Sequence, residues 1–137
     1  MGRVAPRYVE FTIYGDALTP GEITRVVGMR PDAVRVKGEF RPGTNWKLPS
    51  ATHRWKLLEV GDSGSDVTDL VERMTSRIRR VEGGLKEVVA LGSDVLLGAV
   101  IYASDDDPTG PSFVIELDTI SFLSRIPAAF EVNIYPY

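Results

Sequence analysis

Few side chains in this sequence could perform acid–base or metal chemistry, and they are scattered along the chain. The 137 residues include one histidine, His53, and no cysteine. A histidine cluster for a metal ion and a thiolate site are therefore both excluded. His53 has no recognisable nucleophile partner for general-base catalysis. We expect it to be a partly buried histidine that hydrogen-bonds to the backbone.

An acidic run, Asp105-Asp106-Asp107, could offer oxygen ligands to a hard cation. It lacks the alternating ligands, central glycine and closing glutamate of an EF-hand, whereas Pro108 and Gly110 are typical of a turn. The stretch "GDSGSD" lacks the lysine and the spacing of a phosphate-binding loop. The sequence therefore predicts a solvated turn, no metal site, no cofactor and no catalytic residues.

Basic residues recur at helical spacing in the middle of the chain. Arg73, Arg77 and Arg80 fall at i, i+4 and i+7, on one face of a predicted helix. That face could bind phosphate or an acidic partner; alternatively it is a solvated surface on which Asp69 pairs with Arg73. The net charge of −3 argues against binding to nucleic acid, because such binding depends on neutralising phosphates.

Aromatic residues form the most promising candidate surface. Tyrosine and tryptophan are enriched in interfaces because they combine a large contact area with a polar group. Tyrosine is also simply a good strand residue, and this alternative stays open. The predicted partner-binding residues are the outward tyrosines of the strands, two tryptophans and two arginines: Tyr8, Tyr14, Tyr102, Tyr135, Trp46, Trp55, Arg73 and Arg77.

Hydrophobic periodicity predicts the elements that would position these residues. Residues 8–14 alternate as a half-buried strand, and Thr19 with Glu22 forms a capping box before a short helix that Gly28 ends. Asp66 is a plausible N-cap of a long helix. A short helical piece follows the Gly83-Gly84 pair. Further strands are predicted in residues 32–40, 52–59, 94–103, 113–117 and 129–135, and a last helix in residues 118–126.

This order predicts one domain over residues 1–137 with an α+β fold. The first six elements have the ferredoxin-like order βαββαβ, and an extra βαβ follows. We expect a single mixed or antiparallel sheet with helices packed on one face. No secretory signal is visible, and the longest apolar run, residues 95–103, is about half of what a membrane-spanning helix needs. The expected location is cytoplasmic, with no membrane partner.

One stretch carries a resemblance to a known family. Residues 11–39, "FTIYGDALTPGEITRVVGMRPDAVRVKGE", combine a strand, a helix, a Gly-x-x-Pro exit and a basic-Gly turn. With Trp55 in "HRWKL" and the closing stretch 113–135, the sequence resembles domain-of-unknown-function family 4279, which is mostly bacterial. This chain departs from the family at Met29, Arg30 and Asp32. The resemblance implies a compact α+β fold and no particular reaction, cofactor or substrate.

Three functions remain as hypotheses. The first is a non-enzymatic, immunity-like or regulatory module that binds another protein, or a second copy of itself, through the open sheet face and loop 41–52. The second is a small-ligand sensor with its ligand between sheet and loop or at a dimer interface. The third is an enzyme that uses converging Asp and Glu side chains.

Overall fold

Five strands and four helices make up the part of the chain that the structure describes. The structure is a computed structural model that describes residues 6–40, 50–61, 65–104 and 112–136. No helix within these ranges is long and apolar enough to cross a membrane. The elements are, in chain order, β1 (Arg7–Gly15), α1 (Pro20–Val27), β2 (Ala33–Arg35), β3 (His53–Val60), α2 (Val67–Arg79), α3 (Glu82–Ala90), β4 (Asp94–Ala103), α4 (Leu117–Arg125) and β5 (Ala129–Pro136).

All five strands belong to one mixed sheet, with the order β2-β3-β1-β4-β5. The central strand β1 pairs antiparallel with both β3 and β4, and β2 pairs antiparallel with β3. Only β5 runs parallel to its neighbour, β4. The predicted fold class, α+β with a single mixed sheet, is confirmed. The two edges of the sheet are β2 and β5.

The helices pack on one face of this sheet and form one core with it. Val9, Phe11 and Ile13 alternate along β1 and are fully buried against the helices, as the period-2 pattern predicts. Each helix adds a buried apolar stripe to the same cluster, among them Ile23, Val27, Leu70, Met74, Ile78, Leu85, Val88, Phe122 and Leu123. We call the face of β1 with Tyr8, Glu10, Thr12 and Tyr14 the outer face. No helix in the described ranges contributes to it.

Local signals fix the ends of α1 and the start of α2 as predicted. The Thr19 hydroxyl accepts a hydrogen bond from the Glu22 N–H at 3.2 Å, and the Glu22 carboxylate accepts one from the Thr19 N–H at 3.0 Å. Gly28 ends α1 with φ of 79°, a left-handed conformation that glycine adopts at little cost. Asp66 accepts from the Thr68 N–H at 3.1 Å and caps α2.

The predicted strand over residues 113–117 is wrong. Residues 113–116 form no strand, and Leu117 already belongs to α4. The edge of β4 that faces away from β1 pairs with β5. The alternating apolar residues Phe113 and Ile115 therefore do not pair with β4, and they pack against the core instead. The Val114 N–H donates to the Thr68 hydroxyl at 2.9 Å rather than to a neighbouring strand. The described sheet therefore has five strands, where the sequence predicts six.

The Gly83-Gly84 pair lies inside α3 rather than before it. Helix α3 begins at Glu82, three residues before the predicted helical piece. A Cβ at Gly84 would lie 2.8 Å from the Val26 carbonyl oxygen and 2.8 Å from the Val27 Cα. Glycine is therefore required where α3 crosses the end of α1, because backbone atoms leave no room for a side chain.

Candidate partner-binding surface

All four predicted strand tyrosines lie on the outer face of the sheet. Tyr8 and Tyr14 lie there on β1, and the register pairs them with Val100 and Asp94 of β4, respectively. On the neighbouring strands, Tyr102 and Tyr135 are paired with each other. The alternation of the strands was enough to predict this placement, because side chains two residues apart share a face.

Three of these tyrosines gather at one end of the outer face. The rings of Tyr102 and Tyr135 lie with centroids 5.4 Å apart and are tilted by 30°. Tyr8 is paired with Val100, so it is a diagonal neighbour of Tyr102 on the adjacent strand. We call Tyr8, Tyr102 and Tyr135 the tyrosine cluster. Tyr14 lies at the other end of β1, opposite Arg54 and Asp94, and does not join it.

Exposure varies across the outer face. Thr12, near its centre, is 2% exposed, and Val100 is 7% exposed. Tyr8, Tyr14 and Tyr102 are partly buried, whereas Tyr135 on β5 is 46% exposed. The exposed parts of this face therefore include the β5 side and Val60, which lies opposite Tyr8 at the end of β3, rather than the middle of the sheet.

The two predicted tryptophans do not contribute to this surface in the described ranges. Trp55 lies on the helix side of β3 and is fully buried. Its indole N–H donates to the Thr24 hydroxyl of α1 at 3.0 Å. A partner cannot reach this side chain, so Trp55 stabilises the core. Trp46, like most of loop 41–52, lies outside the described residues.

Arg77 holds the edge of β3 rather than a free basic surface. The short strand β2 pairs only with residues 54–56 of β3. Beyond that point the Leu58 N–H donates to the Asp32 carboxylate at 2.8 Å, and the Leu58 carbonyl accepts from Arg77 at 3.1 Å. Arg77 also forms ion pairs with Asp32 and Glu59, each at 3.2 Å. We call Asp32, Leu58, Glu59 and Arg77 the edge clamp.

Arg73 lines a shallow groove next to the edge clamp. The groove has a volume of about 560 Å³, and three of its side chains are carboxylates. Arg73 is exposed in it and Arg77 is committed to the clamp. The local charge is therefore mixed, so an anion finds no excess of positive charge here. The lining residues are Glu59, Asp69, Glu72, Arg73, Ser76 and Arg77.

His53 has the structural role that its sequence context predicts. It is half-buried at the start of β3, and its Nδ1 accepts a hydrogen bond from the Lys37 N–H at 3.0 Å. The ring proton of neutral His53 must therefore be on Nε2. The acidic run at residues 105–107 lies outside the described residues. Within the described ranges, no three His, Asp or Glu side chains come together as metal ligands.

The pKa of two partly exposed carboxylates is lowered by contacts between or within helices. The Thr19 backbone N–H, and then its hydroxyl, hold the pKa of Glu22 below its usual value. Arg125 of α4, and then Lys86, lower the pKa of Glu82 in α3. Both shifts reflect hydrogen bonds that favour the charged carboxylate. They are structural contacts within the fold.

The edge strand β5 exposes apolar side chains on its helix side. Its helix-side residues Phe130, Val132 and Ile134 are 38%, 38% and 54% exposed. Next to them Ile120 of α4 is 51% exposed. A groove of about 410 Å³ between α4 and β5 is lined by Ile115, Ile120, Leu123, Ser124, Ala128 and Phe130. The alternation of β5 correctly predicts which of its residues share a face. It does not predict that the helices leave this part of the face exposed.

Most of the large exposed apolar side chains of the described residues surround this edge. Seven of twelve belong to β5, to α4 or to the segment just before α4: Val114, Leu117, Ile120, Phe130, Val132, Ile134 and Tyr135. Three others, Val34, Val36 and Phe40, lie on or after β2, beside residues 41–49 that are not described. Apolar concentrations of this kind are frequent at the interaction sites of proteins.

Comparison with known proteins identifies the family and nothing more specific. The family model for the domain of unknown function DUF4279 matches residues 5–137. The chain therefore belongs to the DUF4279 family, as the resemblance of residues 11–39 predicts. No curated protein matches it significantly, and no solved structure does either.

Proposed function

We propose that this member of the DUF4279 family is a protein-binding module whose recognition surface is the β5 edge together with the tyrosine cluster. One observation carries the proposal. The eight-residue strand β5 forms the edge of the sheet on this side, and exposed apolar side chains flank it. Such a module would act by regulating or neutralising the protein that it binds. The cytoplasm is the compartment expected from the sequence.

The backbone of an edge strand is itself a binding group. Every second residue of an edge strand directs its N–H and C=O away from the sheet, where a strand of another protein can pair with them. Natural proteins discourage such pairing with lysines, prolines or bulges. Strand β5, "AFEVNIYP", has one charged residue, Glu131, and its proline is at the very end. Its composition therefore permits pairing along the whole strand.

The tyrosine cluster extends this surface onto the outer face. Tyr135 is on β5 itself and is 46% exposed, and its ring rests on Tyr102. Aromatic side chains held by a neighbouring ring lose little conformational entropy on binding. A partner strand paired with β5 would pass beside Tyr135 on one face and beside Ile134 on the other.

The groove between α4 and β5 gives less support to a small-ligand sensor. Specific ligand sites combine an apolar wall with a few convergent polar groups. Among the six residues that line this groove, only Ser124 has a polar side chain. The groove could receive an apolar side chain, but it offers little to orient a metabolite. A protein partner therefore fits the surface better than a small polar molecule.

Site-specific photo-crosslinking tests the proposal. A photoreactive amino acid placed at Val132 should form adducts with a specific protein in cells of the source organism. The same residue at Leu91, which is 48% exposed at the end of α3, is the matched control. Adducts at residue 132 but not at residue 91, identified by mass spectrometry, are expected. Equal labelling at both positions, or no adduct at residue 132, would overturn the proposal.

A further inference from the structure

The β5 edge has a pattern that is complementary to itself. In chain order its residues alternate between the helix side, with Phe130, Val132 and Ile134, and the outer face, with Glu131 and Asn133. Two copies related by a two-fold axis perpendicular to the sheet would pair their β5 strands antiparallel. This symmetry keeps the helices of both copies on the same face, and it pairs only residues that share a face.

Charge and side-chain type favour Val132 as the residue that lies on the two-fold axis of such a pair. With Val132 on the axis, Phe130 of one copy lies opposite Ile134 of the other, and Glu131 lies opposite Asn133. A register centred on Glu131 would instead place two like charges directly opposite each other, which is destabilising. In the single chain the Asn133 amide already donates to the Glu131 carboxylate at 2.6 Å. The pair centred on Val132 would bring the same two groups together across the axis.

The groove between α4 and β5 fits the same arrangement. Ile120 and Phe130 both line it, and both are more than one-third exposed. In the joined sheet the α4 helices of the two copies would lie on either side of the axis. The helix-side residues of both β5 strands would fill the space between them, so that apolar surface now in contact with water becomes buried.

We infer that the partner bound at β5 is a second copy of this chain, joined by antiparallel β5–β5 pairing centred on Val132 into a continuous ten-stranded sheet. This inference rests on the proposed function, since it names the partner of the same surface. In a two-fold dimer each β5 strand pairs with the other, so that no unpaired strand edge remains at that position.

Single-cysteine variants of the full-length chain test this inference, because the natural sequence contains no cysteine. Directly opposed residues of an antiparallel pair have Cα atoms about 4.5–5.5 Å apart, within the range that a disulfide spans. We expect Val132→Cys to form a disulfide-linked dimer on mild oxidation. Ile134→Cys should not, since it would face residue 130 of the other copy. Val60→Cys, 68% exposed on β3, is the control for random collision.

Sedimentation velocity over a range of concentrations completes the test. The wild type should show a reversible dimer, and Val132→Lys should be monomeric with unchanged circular dichroism, while Val60→Lys should still dimerise. A wild type that stays monomeric, or a dimer in which Val132→Cys forms no more disulfide than Val60→Cys, would overturn self-pairing. If β5 photo-crosslinks then identify a different protein, the proposed function stands; without any such adduct, both fail.

Discussion

The two edges of the sheet are built in opposite ways. On the β2 side the edge strand has three residues, and the edge clamp supplies hydrogen bonds to Leu58 where strand pairing stops. On the β5 side the edge strand has eight residues, and no described side chain plays the part of Asp32 or Arg77. The part of β3 beyond β2 is protected by charged groups, whereas β5 keeps its backbone and its apolar side chains available.

This difference distinguishes a protected strand edge from one that is able to pair with another strand, and amino-acid composition alone does not reveal it. Arginines and carboxylates close a strand edge because they satisfy its backbone groups and remain hydrated. Apolar residues on an unprotected edge carry an aggregation risk that natural proteins normally avoid. Their presence on β5 is the reason for proposing a partner that covers them.

The largest contrast should come from truncating one helix-side residue at each side of the sheet. Leu57 on β3 is fully buried, whereas Val132 on β5 is 38% exposed. Leu57→Ala should lower the free energy of unfolding by about 2–5 kcal/mol through lost burial and a cavity. Val132→Ala should change it by less than about 1 kcal/mol in the monomer. Urea denaturation at high dilution measures both, and equal losses would contradict the difference in burial.

A smaller loss of stability should follow from a substitution that crowds α3 against α1. Helix α1 is held over β3 by the hydrogen bond from Trp55. Gly84→Ala should lower the free energy of unfolding by about 1–3 kcal/mol, because the new methyl group meets backbone atoms of Val26 and Val27. Gly83→Ala is the matched control: nothing lies within 4 Å of its Cβ, so it should be neutral or stabilising by up to about 1 kcal/mol. Thermal and urea unfolding distinguish the pair, and similar effects of both changes would refute the close approach.

Removing Arg77 from the edge clamp should lower the free energy of unfolding less than the two destabilising substitutions above, but it should also change self-association. Arg77→Met removes the donor to the Leu58 carbonyl and leaves Asp32 and Glu59 without their shared cation. We expect a loss of about 1–2 kcal/mol, since the arginine is partly solvated. New self-association through β3 should appear in light scattering. Arg73→Met, one turn earlier and exposed, should change neither property by a measurable amount.

The smallest effects should come from the two carboxylates whose pKa is lowered, Glu22 on α1 and Glu82 beside α4. A folded-state pKa below the unfolded value of about 4.5 means that each carboxylate stabilises the fold above that pH. Their contributions are lost as the pH falls through the folded-state pKa. Glu22→Gln and Glu82→Gln should each make stability less dependent on pH below about 4.5. Unchanged slopes in acid titrations followed by circular dichroism would contradict these contacts.

The sequence predicted the local parts of this structure well. The capping box at Thr19, the stop at Gly28 and the outward tyrosines all follow from near neighbours along the chain. The strand predicted over residues 113–117 failed because the parallel pairing of β5 with β4 takes its place, and such pairing joins distant segments. The burial of Trp55, the clamp role of Arg77 and the exposure of Val132 likewise depend on contacts that spacing does not reveal.

Residue-resolved amide hydrogen exchange, followed by NMR at high dilution, tests the contrast between the edges most directly. The Leu58 N–H, bonded to Asp32, should exchange slowly although β2 does not extend far enough to pair with it. Along β5 the amides should alternate between slow and fast exchange, with the fast ones pointing away from β4. A fast Leu58 amide, or uniformly slow exchange along β5 in the dilute monomer, would contradict the account.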